Sequence, residues 1–468
     1  MKKATKVIAT IGPATESKEI IQELIENGMN VARFNTKHST PDWHNERIHR
    51  VREVANEMGV SIGILLDLQG PEVRIDLPRE EAFEVKVDDN VIFSSNTTAE
   101  GERTAFVPQL VIDSLSPESL ILLDDGACEL IVTEVNQDHF VAKALNDCRV
   151  QHRKTMNTPG TILDMPSITD RDRSYLDEVD MKLVDFIGLS FVRDKEDIDI
   201  LRDEMTQRQI SADVVAKIEN QAALDNIDEI VETADSVMIA RGDLGVEVRY
   251  QELVYWQRVI IEKCRQAAKP VITATQMLKS MVTNPRPTRA EVSDVAHAIY
   301  DGTDSVMLSE ETTIGKYPVK AVRTQSEIAI FNEQHTKLEM IWPANTSSSL
   351  DITSNAANLL IHTKQKIDVI VCLTETGRTA QLLSRFRPKQ PIFAVTHDPL
   401  TYQKLSMVYG VEPYLFDFPE GKVEVDQDLI DRFVNSGMEI SGMTILMIHG
   451  SEWQRPGLTN TLSLIKTS

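Results

Sequence analysis

The feature that most restricts this chain is a set of short, almost unbroken apolar runs. They read KVIATIG (6–12), NVARFN (30–35), GILLDLQ (63–69), VDFIGLSF (184–191), DVVAKIE (213–219), SVMIARG (236–242), PVITATQ (270–276) and DSVMLSE (304–310). A strand with one wet face alternates polar and apolar residues, whereas runs like these belong to a parallel sheet covered on both faces. Between most of them lie amphipathic stretches such as SKEIIQELIENG, whose Ile20, Ile21, Leu24 and Ile25 share a face and which stops at Gly28. Strand then helix, repeated eight times, predicts a (β/α)8 TIM barrel.

Two intervals break the pattern, and the 468 residues leave room for about three domains of roughly 150 residues each. After the third run the chain alternates apolar and polar residues (VKVDDNVIFS, LILLDD, ELIVTEV, HFVAKAL) between Asp, Asn and Gly turn signals. This predicts an antiparallel β module, of β-barrel type, inserted over 71–158 and hanging above the C-terminal face of a barrel made of 1–70 and 159–345, where a lid would sit. A Pro/Asn/Ser-rich linker, WPANTSSSLDITSN, then precedes a new strand–helix series over 350–468, expected as a small open α/β domain.

Charge and cysteine content exclude several functions. The 49 Lys+Arg against 72 Asp+Glu leave a net charge of -23, which disfavours nucleic acid and anionic membrane as partners. An anionic small molecule requires a local cluster of cations. Cys128, Cys148, Cys264 and Cys372 form no C-x-x-C pair, so neither a zinc site nor a disulfide framework is signalled. With no apolar segment of signal-peptide or membrane-spanning length, a cytoplasmic location is expected.

In a barrel, polar residues at the strands' C-terminal ends converge on one mouth. They are Arg33 and Asn35, Asp67, Ser190 and Arg193, Lys217 and Glu219, Arg241 and Asp243, Thr275 and Gln276, and Ser309 and Glu311. Any one of them alone reads equally as a solvated strand end or a helix cap. The conjunction is more demanding: Lys217 and Glu219, two apart, point to the same side of their strand. Glu219 and Asp243 end successive strands and suit Mg²⁺ or Mn²⁺, with an ion pair to Lys217 or Arg241 as the bland alternative. RGDLG offers backbone N–H groups for a substrate carboxylate or phosphate. Arg33, Arg74, Lys217 and Lys154 supply the local cations. These are components of phosphoryl transfer or enolate chemistry.

Over nearly its whole length the chain resembles the pyruvate kinases, in ATIGPAT, NVARFN, VAKIENQ, IARGDLGVE, ITATQML, PTRAEVSDVAHAIYDGTDSVMLSEET, TETGRTA and GLTNT, in that order. The resemblance implies phosphoryl transfer from phosphoenolpyruvate to ADP, giving ATP and pyruvate through an enolate. By motif, Glu219 and Asp243 would hold the divalent metal, Lys217 would stabilise the transferring phosphoryl group and the enolate oxygen, and Thr275 would lie on the proton-delivery side. Arg33 and Ser190 would contact substrate, and the backbone of Ala240, Gly242 and Asp243 would receive its carboxylate. Asn35, His38, Arg74 and Lys154 would face the nucleotide. The resemblance further implies a homotetramer and an effector site for a phosphorylated ligand. That site falls on Thr374, Thr376, Gly377, Arg378 and Thr379, with Trp453 and Arg455 as second contacts, although TETGRT also reads as an ordinary helix cap.

Four departures from the family pattern stand out. Where K⁺-requiring members read N-F-S-H-G and D-T-K-G-P-E-I-R-T, this chain has Lys37 for the serine and Leu68 for the threonine, while Glu72 departs from the K⁺-free branch, which usually has lysine there. The monovalent-cation site of Asn35, Lys37, Asp67 and Leu68 is therefore expected to hold an ammonium in place of K⁺, partnered by Asn35 and Asp67. Glu310 stands where the family has glycine. Two other functions share parts of this pattern: a metal-dependent lyase or aldolase on the same barrel, and a metabolite sensor that has lost turnover.

Overall fold

The computed structural model describes residues 3–467 apart from 99–100, 337, 343–346, 456 and 458. Part of the 342–355 linker and Leu458 of the GLTNT segment thus lie outside the described residues.

All eight apolar runs form strands of one closed parallel barrel, in chain order around the ring: Lys6–Thr10, Met29–Asn35, Gly63–Asp67, Phe186–Leu189, Asp213–Ile218, Ser236–Ala240, Val271–Ala274 and Ser305–Leu308. The two-residue period of a strand sorts their side chains. Val7, Ala9, Ala32, Ile64, Leu66, Ile187, Val214 and Ala216 pack outward against the helices in the largest core cluster. Ile8, Val31, Leu65, Phe186, Val215, Met238, Ile272 and Met307 point inward and fill the barrel. This dry plug closes the interior, so chemistry is confined to the layer above it.

The segment from Phe83 to Asn157 forms a six-stranded sheet and a two-stranded ribbon with their own apolar core. One pair departs from the antiparallel expectation, because Asn90–Ser94 and Thr104–Phe106 run parallel. The cysteine reading needs correction as well. Cys128 and Cys148, 20 residues apart, begin two strands of this segment and are disulfide-bonded. Sequence spacing misses such a pair, since strand neighbours need not be close along the chain. Cys264 and Cys372 are free and buried.

The C-terminal sheet has five strands with an antiparallel edge pair, Thr444–Gly450 with Thr459–Lys466, and separate apolar clusters on its two faces. Its opposite edge is Val411–Leu415, whose sequence VEPYL carries a proline that an edge strand tolerates. The unit docks on the N-terminal end of the barrel. Met407 joins the barrel's interior cluster, and Ser305 Oγ donates to the Met407 carbonyl at 3.2 Å. Gly63 has to be glycine there, because a Cβ would lie 2.4 Å from Ser406 Oγ. The opposite mouth is left open beneath the inserted sheets. Among the described residues no helix is long and apolar enough to cross a membrane.

Candidate active site

One step along each strand from the dry plug, toward its C-terminal end, the inward positions change character. Ile8, Val31, Leu65, Phe186 and Val215 are followed two residues later by Thr10, Arg33, Asp67, Gly188 and Lys217. The period that buries the plug therefore aims these groups at one another. Arg33 donates from Nε to Asp67 Oδ2 at 2.7 Å and from Nη1 to Thr10 Oγ1 at 3.0 Å. Lys217 Nζ lies 3.1 Å from Asp67 Oδ1, 3.0 Å from Glu219 Oε1 and 2.6 Å from Ser190 Oγ. Ser190 in turn donates to the Leu68 carbonyl at 2.7 Å. Gly188 leaves room for the hub of this network, since a Cβ there would fall 2.8 Å from Asp67 Oδ1.

Burial sets the charges. Asp67 is 1% exposed, and although burial alone would raise its pKa, Lys217 and Arg33 outweigh that and hold it below the usual carboxylate range. Burial likewise acts to lower the Lys217 pKa, but Asp67 and Glu219 prevail and the ammonium is held above its ordinary value. Glu219, which also accepts the Phe191 N–H at 2.7 Å, is pushed up to about 7 by burial and by repulsion from Asp243, against the pull of Lys217. Asp243, on the helix Arg241–Glu247 that follows the sixth strand, is raised mainly by burial. Two buried carboxylates that resist ionisation, beside a lysine whose charge is already shared, form a donor set that a divalent cation would relieve. Among the described residues no three His, Cys, Asp or Glu side chains cluster as a complete metal cage. Substrate oxygens and water would have to complete the coordination of Mg²⁺ or Mn²⁺.

The other expected residues are distributed as follows. Thr275 is half-buried, with φ 68, and its hydroxyl donates to the Ala274 carbonyl at 2.7 Å. Its Oγ1 lies 3.7 Å from where a Cβ on Gly242 would project, so the seventh strand's end faces the RGDLG turn that Ala240 precedes. Asn35 accepts the Lys37 backbone N–H at 3.1 Å, and His38 is exposed beside them. Arg74 forks onto Glu72. Lys154 pairs with Asp124 of the inserted segment at 2.8 Å.

Five positions depart from expectation. Lys37 does not reach Asn35 or Asp67 with its ammonium; it bonds Glu72 Oε1 at 2.7 Å, while the Asp67 carboxylate is paired with Arg33 and Lys217. Leu68 belongs to the outer core, 1% exposed, and lines no cation site. Glu311 turns inward and accepts the backbone N–H groups of Leu278 and Ser309 at 3.0 and 2.8 Å. Arg241 and Arg193 are engaged by Asp294 and Asp197. Glu310 is exposed and pairs with Lys279, so its charge disturbs no packing.

Sequence reasoning overlooked Thr10, the pairing of Glu72 with Lys37, Gly188 and the Phe191 amide. For the first and third, the inward register two residues beyond the apolar plug was a legible signal. A cavity of about 380 Å³ opens beside the mouth, between inserted and barrel segments, lined by Glu72, Thr155, Asn157, Phe191, Asp243 and Glu247 among others. In the C-terminal unit a second cavity, of about 180 Å³, is lined by Thr374, Thr376, Arg378, Thr379, Trp453 and Arg455. Gly377, with φ 78, caps the helix behind it, and the Arg378 guanidinium turns toward the Ala267 and Ala268 carbonyls of the barrel.

Residues 2–322 match the profile of the pyruvate kinase barrel domain, and residues 351–465 match that of the pyruvate kinase alpha/beta domain. The chain belongs to the pyruvate kinase family. It is 40% identical over 468 residues to the pyruvate kinase of Bacillus licheniformis, covering 98% of this chain and 80% of that one. To the pyruvate kinase of Dictyostelium discoideum it is 36% identical, with 98% and 94% covered. A crystal structure of a pyruvate kinase from Cryptosporidium parvum superposes with a TM-score of 0.92 at 31% identity, covering 100% of this chain and 96% of that one. As a pyruvate kinase family member the chain is a phosphotransferase, and the family's use of a divalent metal accords with the Glu219 and Asp243 carboxylates.

Proposed function

We propose that this chain transfers the phosphoryl group of phosphoenolpyruvate to ADP, yielding ATP and pyruvate, as the last step of glycolysis in the cytoplasm. The observation that carries this reading is the buried Arg33–Asp67–Lys217–Glu219 network at the barrel mouth. It fixes two cations where negative charge would develop, at no reorganisation cost. Arg33 and Ser190 orient the phosphoryl-bearing substrate, with its carboxylate toward the backbone of Ala240, Gly242 and Asp243. Lys217 stabilises first the transferring group and then the enolate oxygen, and Thr275 lies on the face from which the enolate carbon takes its proton. Glu219 and Asp243 would hold a divalent ion, whose contribution is to neutralise phosphoryl and enolate oxygens. Asn35, His38, Arg74 and Lys154 serve the nucleotide; Lys154 would have to exchange Asp124 for phosphate as the inserted unit, 71–158, closes over the barrel of 1–70 and 159–345.

The Lys37–Glu72 pair supports a further reading, that K⁺ is not required, because the chain supplies its own ammonium, with a counter-charge, close to the end of the second strand. The 180 Å³ cavity of the 350–468 unit supports binding of a phosphorylated effector and hence allosteric control. Exposed Tyr250, Val254 and Tyr255 at one edge of the barrel support assembly with further copies, as a homotetramer. A coupled assay with phosphoenolpyruvate and ADP, with and without Mg²⁺, tests the reaction. No pyruvate formation under any divalent metal would refute it.

A further inference from the structure

The inserted unit is tied back to the barrel along both of its connecting chains. Among the described residues two side-chain hydrogen bonds make the tie: Lys37 to Glu72 on the outgoing chain, and Asn157 Nδ2 to Glu247 Oε1, at 3.2 Å, on the returning one. Strand and helix periods place the second pair. Met156 and Asn157 form a short strand against Leu122 and Leu123 of the inserted sheet, and because Met156 enters that unit's core, Asn157 faces the other way, toward the barrel. Glu247 closes the helix Arg241–Glu247 one turn beyond Asp243, so the two carboxylates share a face and line the same cavity of about 380 Å³. Leu244, fully buried, fixes that helix in the barrel's core.

Burial pushes the Glu247 pKa up to about 6, with the Asn157 bond acting against the rise and Asp243 adding to it. Among the described residues Asn157 is the one side chain that donates to this carboxylate. A desolvated carboxylate with a single donor holds that donor firmly, since losing it leaves the charge unpaired. Lys154, placed on the nucleotide side, lies three residues before Asn157 on the same returning chain. We propose that Glu247 is a positioning residue: through Asn157 it sets where the inserted unit, and Lys154 with it, stands over the mouth. The helix gives this bond a second end, because whatever settles on Asp243 bears on Glu247 one turn away. The inference rests on the phosphoryl-transfer reading proposed above.

The test is a double-mutant cycle in the full-length protein. Glu247→Ala and Asn157→Ala should each raise KM for ADP by about fivefold or more, the equivalent of one hydrogen bond, while the phosphoenolpyruvate dissociation constant from equilibrium titration stays within about twofold. The double variant should be no worse than either single one, and Glu247→Gln, which keeps an acceptor, should restore most of the lost ADP affinity. A second readout is independent of turnover. Mn²⁺ added to the wild-type protein should slow amide hydrogen exchange over residues 156–163, and Glu247→Ala should abolish that slowing. If no pyruvate forms under any divalent metal, the reaction is refuted while the exchange experiment still decides whether Glu247 couples the metal site to the inserted unit. Additive effects in the double variant, equal loss of phosphoenolpyruvate and ADP affinity, or no rescue by Glu247→Gln would overturn the proposal. So would Mn²⁺ that leaves exchange over 156–163 unchanged in the wild type, or slows it equally in Glu247→Ala.

Discussion

The Lys37 ammonium lies 2.7 Å from the Glu72 carboxylate, and the same carboxylate is gripped from the other side by Arg74 at 3.0 Å. Lysine where the K⁺-requiring members carry a serine ligand and the glutamate that the K⁺-free branch lacks are therefore one ion pair, not two unrelated departures. Activity measured in tetramethylammonium buffer should match that in KCl of equal ionic strength within about fivefold. Removing the ammonium with Lys37→Ser should create a K⁺ requirement by restoring a cation-sized gap beside Glu72. A large K⁺ stimulation of the unaltered protein would contradict this.

Lys217→Met should leave phosphoenolpyruvate binding measurable while lowering kcat by about 10²–10³-fold or more. The ammonium acts on charge that grows between ground and transition state, and such interactions are typically worth roughly 3–4 kcal/mol. Steady-state kinetics alongside equilibrium titration separate the two effects. Retention of a tenth of wild-type kcat would remove Lys217 from this role.

Gly188 makes a purely steric prediction. In Gly188→Ala the new methyl, 2.8 Å from Asp67 Oδ1, must displace the carboxylate that orients both Arg33 and Lys217. Turnover should fall by about a hundredfold, in keeping with an ångström-scale misplacement of catalytic groups, while far-UV circular dichroism stays unchanged.

Glu219 links pH to metal binding. Its pKa in the folded protein, raised to about 7 from an ordinary 4.5, means that the metal-free fold retains a proton that the unfolded chain releases. This contribution to stability is complete below about 4.5 and is lost as pH rises through about 7. A divalent cation needs the ionised form, so the apparent affinity for Mn²⁺ should weaken by up to tenfold per unit as pH falls below about 7. Calorimetry in buffers of different ionisation enthalpy should detect a proton released on binding, and Glu219→Gln should abolish that release.

Titration with sugar phosphates and nucleoside monophosphates should perturb Trp453 fluorescence, because that indole is 7% exposed and lines the C-terminal cavity. Lack of response to every one of them would return the Thr374–Thr379 segment to a helix cap.

The sequence by itself determined the barrel and most of the mouth, because apolar runs buried on both faces and the two-residue strand period are local properties of the chain. Arg33, Asp67, Lys217 and Glu219 could be placed on one rim from strand ends alone. Tertiary structure decided how those groups share their charges. That Asp67 is shared between Arg33 and Lys217 is set by the second, third and fifth strands, which meet at one mouth although Asp67 and Lys217 lie about 150 residues apart in the chain. Lys37 pairs with Glu72 and not with Asp67, and no periodicity foretells such a choice. Leu68 and Glu311 lie just beyond the inward register for related reasons: Leu68, one residue after Asp67, turns outward into the core, and Glu311, past the end of its strand, serves the backbone N–H groups of Leu278 and Ser309. The Cys128–Cys148 bond and the Asn157–Glu247 contact arise likewise from segments brought together only by folding, where desolvation, invisible in sequence, sets the cost of every unpaired charge.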